Sequence, residues 1–210
     1  MRSPATRRQE ASFQRRQAIL DAAIAAFSAD GFAATRLDDI AVRAGVAKGT
    51  IYLFFKDKDD LFEQVLLRAA MPVLEKVDQL ASAPAMPLDT VLAKLFRLFR
   101  TEILETERRE IIRLVIVEGR RFPRIARLYH REVVSKGIAI VSRIARNAHA
   151  RGELASDDLA RFPQLVFAPL VMAIVWDMLF SQIQPLDAKG LLAAHRRVIV
   201  GKPQLRSRKV

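Results

Sequence analysis

From Arg16 to Val200 the apolar residues of this chain recur at helical spacing, and no stretch alternates with the period of a strand. That one feature confines the fold to packed helices. In "RRQAILDAAIAAFSADG", Ile19, Leu20, Ala23, Ile24 and Phe27 fall on one face. Leu92, Leu95, Phe96, Phe99 and Ile103 repeat the pattern in a helix expected over Leu88–Thr106. Ile125, Leu128, Tyr129, Val133 and Ile138 carry a further stripe, in a helix opened by Pro123 and ended by Gly152. Two last helices are expected over Asp157–Gln184 and Asp187–Val200, separated by Pro185. In 210 residues, 51% of them apolar, there is enough to build a sizeable core.

One segment is more specific than the period. Gly31 can take the left-handed conformation that ends the first helix. Thr35, with Asp38 three residues on, is a variant of the capping box and opens a short helix over Arg36–Ala44. Gly45 closes that helix, Val46 can plug the angle, and Lys48 begins another. Short helix, glycine turn and short helix make a helix-turn-helix in sequence form. In the second helix Ile51 and Phe55 share one face, while Lys48, Thr50 and Tyr52 lie elsewhere on the circumference. Small residues at its start suit entry into a groove about 12 Å wide. Phe54 and Phe55 near its end suit packing to the body.

The stretch from Arg16 to Leu61 resembles the DNA-binding domain of the TetR family of transcriptional regulators. The match runs without gaps through Arg16, Ile19, Leu20, Ala23, Phe27, Gly31, Thr35, Ile40, Ala41, Ala44, Gly45, Val46, Gly49, Thr50, Tyr52, Phe55, Lys58 and Leu61. Ala47 departs from the pattern, which often has Ser or Thr as N-cap there. Its absence costs about 1 kcal/mol of helix stability and one phosphate contact. The resemblance implies DNA contacts from Thr35, Arg36, Lys48, Gly49, Thr50, Tyr52 and Lys58. "EGRRFPRIARLYHRE" is similar, more loosely, to a segment of C-terminal domains in one TetR subgroup.

Beyond Leu61 a long helix is expected over Asp59–Leu80, with Pro72 a kink, hinge or break inside it. Residues 81–87 read as a linker. Ile111–Val117 is apolar nearly all round and reads as a buried central helix. Arg120, Arg124, Arg127 and Arg131 read as a solvated basic face, and Glu118 is expected to pair with Arg121. The domain division expected is 1–60 for an arm and reading head, 61–202 for a helical regulatory and dimerisation domain, and 203–210 for a basic tail.

Charge and composition narrow the function. The net charge is +12 and much of it sits at the ends, five arginines against Glu10 within residues 1–16 and six cations with no acid within 196–210. A basic arm beside a helix-turn-helix suits a phosphate backbone. Cysteine is absent, which removes disulfides and Cys-based zinc sites and makes a cytoplasmic location the simple reading. The longest apolar run, Leu165–Trp176, is short of the roughly 20 residues a membrane span needs. His130, His149 and His195 have no partner at metal-ligand spacing, and no phosphate loop or nucleophile motif is present. No enzyme activity, metal or cofactor is expected.

The expectation is an all-α protein, an N-terminal three-helix bundle with a helix-turn-helix and a larger C-terminal helical domain. Its function is sequence-specific binding of a palindromic double-stranded operator as a homodimer, repressing transcription. The resemblance implies that the C-terminal domain dimerises through its last two helices and holds an inducer. Ala168, Val171, Leu191 and Leu192 are the candidate dimer contacts. Phe96, Phe99, Ile103, Val115, Phe167 and Trp176 are the candidate lining for an apolar or aromatic effector. A carrier or sensor of apolar small molecules with no DNA role is the alternative.

Overall fold

The computed structural model describes residues 4–82 and 86–201, and every regular element among them is helical. The expected basic tail at 203–210 and part of the 81–87 linker lie outside the described residues. The helices are α1 (Pro4–Ala34), α2 (Leu37–Ala44), α3 (Lys48–Tyr52), α4 (Lys58–Ser82), α5 (Leu88–Leu98), α6 (Arg108–Glu118), α7 (Pro123–Tyr129), α8 (Ser135–Ala150), α9 (Asp158–Arg161), α10 (Gln164–Phe180) and α11 (Ala188–Val200). π-Helical turns extend α5 over Phe99–Leu104 and join α7 to α8 over His130–Val134.

The chain divides into two compact units. The first runs as far as Ala70 and takes in Glu110–His130; the second holds Met71–Arg109 and the rest from Arg131. In the first unit α1 packs on α2 and α2 on α3. Ile19, Leu20, Phe27, Ile40, Ile51, Phe55 and Phe62 are its buried centre. The helical period places them there, and each such side chain contributes about 1.5–3 kcal/mol by leaving water. The rings of Phe27, Phe32 and Phe62 lie 5.4–5.6 Å apart, and Phe122 stands edge-on to Phe32 at 5.3 Å. Phe122 thereby ties the start of α7 to the base of the helix-turn-helix.

In the second unit α5 packs against α11 and α8, and α10 against α11 and the π-turn after α5. Leu92, Leu95, Phe96, Val141, Ala145, Val166, Ile174 and Leu192 are buried within it. Gly137 lets α8 come close to α10, since a Cβ there would stand 3.3 Å from the Phe167 ring.

Several expectations change. α4 continues through Pro72, so the break that was one of the expectations there does not occur. One missing N–H does not end the helix, since Val73, Leu74 and Val77 beyond it are buried. Pro163 splits the helix expected over Asp157–Gln184 into α9 and α10. α6 is not buried all round: Ile111 and Leu114 face inward while Ile116 and Val117 are 41% and 62% exposed, because neighbours cover one side only.

Candidate nucleic-acid interface

Gly45 has φ 66° and ψ 32°, the left-handed geometry that lets the chain reverse between α2 and α3. Its N–H and that of Val46 return to the carbonyls of Val42 and Ala41, closing α2. Ile40 and Ala41 from α2, with Ile51 and Phe55 from α3 and its sequel, turn inward. That fixes what must face out. Lys48, Gly49, Tyr52 and Leu53 are exposed and Thr50 is half-buried. Of the expected contacts, Arg36, Lys48, Gly49 and Tyr52 thus lie on the outer surface of one short segment.

Lys48 is bridged to Asp38, Nζ to Oδ1 2.7 Å, which links the start of α3 to the first turn of α2. The hydrogen bond to Asp38, with the attraction behind it, raises the lysine above its ordinary value of 10.5. The cation is therefore fully charged at neutral pH and sits on an exposed bridge that a phosphate can replace. Ala47 caps α3 without a side-chain hydrogen bond, as its methyl group requires.

Thr35 and Lys58 face the other way. Thr35 is 2% exposed, and its hydroxyl donates to the carbonyls of Gly31 and Ala26 at 2.6 and 3.3 Å. The expected capping box does not form: Arg36 is the N-cap of α2 and makes no side-chain cap. The reason is the break at Gly31, φ 75° and ψ 165°, which leaves α1 carbonyls that the hydroxyl satisfies. Lys58 donates to the carbonyls of Phe32, Ala33 and Thr35 at 2.8, 3.2 and 3.0 Å and lies 4.7 Å from the centre of the Phe32 ring. Burial pushes its pKa down, while the nearby Asp59 and Glu118 carboxylates favour the charged form. Glu118, expected to pair with Arg121, instead faces Gly31, where its Oε1 would stand 2.9 Å from an added Cβ. These two side chains lock the α1–α2 turn from within the first unit.

Two carboxylate caps do form between α3 and α4. The Asp57 carboxylate accepts from the Asp60 N–H at 2.8 Å, and the Asp60 carboxylate accepts from the Lys56 N–H at 2.9 Å. The first starts α4. Arg16 donates to Gln64 at 2.8 Å and lies over the Phe55 ring, fastening α1 to α4. The basic residues of the α7 region are exposed as expected, with Arg124 paired to Asp59 at 2.5 Å.

Among the effector candidates, Phe96, Phe99 and Phe167 come together, with ring centres 6.2 and 5.7 Å apart, and His195 joins Phe96 at 5.9 Å. Ile103 lies in the π-turn that follows Phe99. Trp176 packs on Phe180 and donates to the Gln184 carbonyl at 2.7 Å. Val115 belongs to the first unit, the other five candidates to the second. Among the dimer candidates, Ala168 and Val171 are exposed, Leu191 is half-buried and Leu192 is 3% exposed. Leu192 therefore fills the core of its own unit rather than an outer face. Among the described residues no group of His, Asp or Glu has the arrangement to hold a metal, and no helix is long and apolar enough to cross a membrane.

A two-helix reading head on an all-α body defines a class. The sequence model for bacterial regulatory proteins of the tetR family matches residues 19–65, and that for the tetracyclin repressor-like C-terminal domain matches residues 87–187. The HTH-type transcriptional repressor BepR of Brucella suis is 34% identical over 151 residues, 68% of this chain and 69% of that protein. The HTH-type transcriptional regulator AcrR of Shigella flexneri is 35% identical over 109 residues, 51% of this chain and only 50% of its own length. In fold the chain is similar to the transcriptional regulator FadR from Bacillus subtilis, solved in complex with stearoyl-CoA. The TM-score is 0.66 at 20% identity, covering 88% of this chain and 97% of that one. The chain belongs to the tetR family of bacterial regulatory proteins.

Proposed function

We propose that this protein is a ligand-responsive repressor that binds a near-palindromic double-stranded operator as a homodimer. The observation that carries the reading is the α2–α3 pair, its apolar side closed by Ile40, Ile51 and Phe55 and its outer side offering Lys48, Gly49 and Tyr52. Lys48 reaches a guanine edge or a phosphate, Tyr52 a phosphate, and Arg36 the backbone beside α2. Thr50 completes the first turn of the reading helix. Thr35 and Lys58, whose polar atoms are taken by α1 carbonyls, act by fixing the angle at which α2 and α3 are presented. The division of labour is a reading head within residues 1–60 and a regulatory and dimerisation part from 61 to 202.

Dimerisation uses α10 and α11. Leu165, Val171, Met172, Leu179 and Ile183 leave apolar surface open along α10 and its end, which supports a second copy there. The effector is an apolar or aromatic small molecule held near Phe96, Phe99 and Phe167, beside the π-turn after α5. The stearoyl-CoA bound by FadR lends this chemistry a precedent in the same fold. α4 and α6 each have residues in both units, so a ligand that favours another tilt of either helix changes DNA affinity by its differential affinity for the two states.

The test is fluorescence anisotropy on duplexes selected from the host genome. Lys48→Ala and Tyr52→Ala are expected to weaken binding with helical content unchanged, and Lys48→Ala to lower the salt slope by about 1. Equal affinity in both folded variants would overturn the assignment.

A further inference from the structure

We propose that Leu53 reads the 5-methyl group of a thymine, so that the operator carries a required T·A pair beneath the end of α3. The inference rests on the DNA-binding reading above and deepens it.

A lone exposed leucine is ordinary on a protein surface. Leu53 is distinguished by its place. It is 80% exposed and continues α3 in right-handed helical geometry, φ −72° and ψ −23°, directly after the exposed Tyr52. Four residues before it, on the same side of the helix, stands Gly49. A Cβ at Gly49 would meet nothing within 4 Å, and its φ is not in the left-handed region. Neither the backbone nor the packing of this chain therefore needs a glycine there, although glycine weakens a helix. What it leaves is room for another molecule to approach the backbone just in front of Leu53. Exposed on the same two helices and the turns beside them, Arg36, Arg43, Lys48 and Lys56 outnumber Asp38, Asp39 and Asp57 by one. A surface with that charge and a bare backbone fits a phosphate-bearing duplex.

The chemistry then selects the base. In the major groove base edges offer donors, acceptors and one apolar group, the thymine methyl. Leu53 has no polar atom, so it gains nothing from N7, O6 or N4 and gains burial from that methyl. Ala47, exposed at the other end of α3, likewise adds no donor. Base reading by this head is then poor in hydrogen bonds, Lys48 apart, and rich in methyl contact. Val42, 81% exposed on α2, gives an internal control, since α2 crosses the sugar–phosphate backbone in such heads and meets no base edge.

The experiment uses the full chain and a duplex it selects from a random pool. Each thymine in that duplex is replaced in turn by uracil, which removes only the methyl. For the unaltered protein, one thymine in each half-site is expected to lose about fourfold in affinity on replacement. Leu53→Ala is expected to bind the parent duplex about as weakly as the unaltered protein binds the uracil form, and to be indifferent to uracil there. Leu53→Met should keep the sensitivity, as should Val42→Ala. The inference is overturned if Leu53→Ala and the unaltered protein respond alike at every thymine, or if Leu53→Ala weakens all duplexes equally. If no duplex is enriched from the pool, the DNA-binding reading fails as well, which separates the two.

Discussion

Lys58 illustrates how much a single side chain can hold. Its ammonium meets three carbonyls of the α1–α2 turn, 23 to 26 residues away in sequence, and its charge rests on the Phe32 ring. Lys58→Met keeps the stem and leaves those carbonyls without their donor. The expected loss is about 1–3 kcal/mol of unfolding free energy, measured by urea denaturation. An unchanged midpoint would show that water replaces the amine at no cost. The family pattern marks position 58 in the sequence, but not its partners, because a chain pattern carries no direction for a side chain. Thr35 is the same case: its spacing to Asp38 reads as a cap, while the break at Gly31 offers the hydroxyl nearer carbonyls. The outward placement of Lys48 and Tyr52 was legible because their neighbours Ile51 and Phe55 had to face inward.

At the scale of the element, boundaries set by neighbouring residues were legible and those set by distant ones were not. The Asp57 cap, the Pro123 start and the Gly45 stop follow from local chemistry alone. The passage through Pro72 and the π-turns do not, since they depend on what is buried on either side. α5 is begun by a distant group: the Glu153 carboxylate accepts from the Leu88 N–H and pairs with Arg151 at 2.5 Å. Burial works against its ionisation, yet the Leu88 N–H and the Arg151 guanidinium outweigh it and hold the carboxyl below its ordinary 4.5. A folded-state value below the unfolded one gives stability that is complete above pH 4.5 and is lost as pH falls through the depressed value. Glu153→Ala is therefore expected to cost roughly 1 kcal/mol at neutral pH. The gap to the unaltered protein should close in acid below pH 4.5. Parallel denaturation curves from neutral pH into acid check this, and a gap that persists at the acid end would remove Glu153 as the cap.

At the scale of the molecule, the all-α class was legible from period alone, and the reading head from one gapless motif. The membership of Glu110–His130 in the same unit as the head was not, because it rests on long-range contacts such as Phe32 with Phe122 and Asp59 with Arg124. Two of the four candidate dimer residues, Val171 and Leu192, now make different predictions. Val171 is 44% exposed, so Val171→Asp should give a folded monomer by sedimentation and lose tight DNA binding. Leu192→Asp should unfold the second unit, since an unpaired charge in a core is expensive. A Val171→Asp protein that remains dimeric would move the interface elsewhere. In the proposed function α2 and α3, carried twice by a two-fold dimer, read a specific duplex. Selection of bound sequences from a random duplex pool, at salt high enough to suppress backbone binding, tests it most directly. Enrichment of one near-palindrome is expected, with half-site centres about 34–36 Å apart or a multiple of that. A pool that emerges without any enriched sequence, from protein that is folded and dimeric, would contradict it.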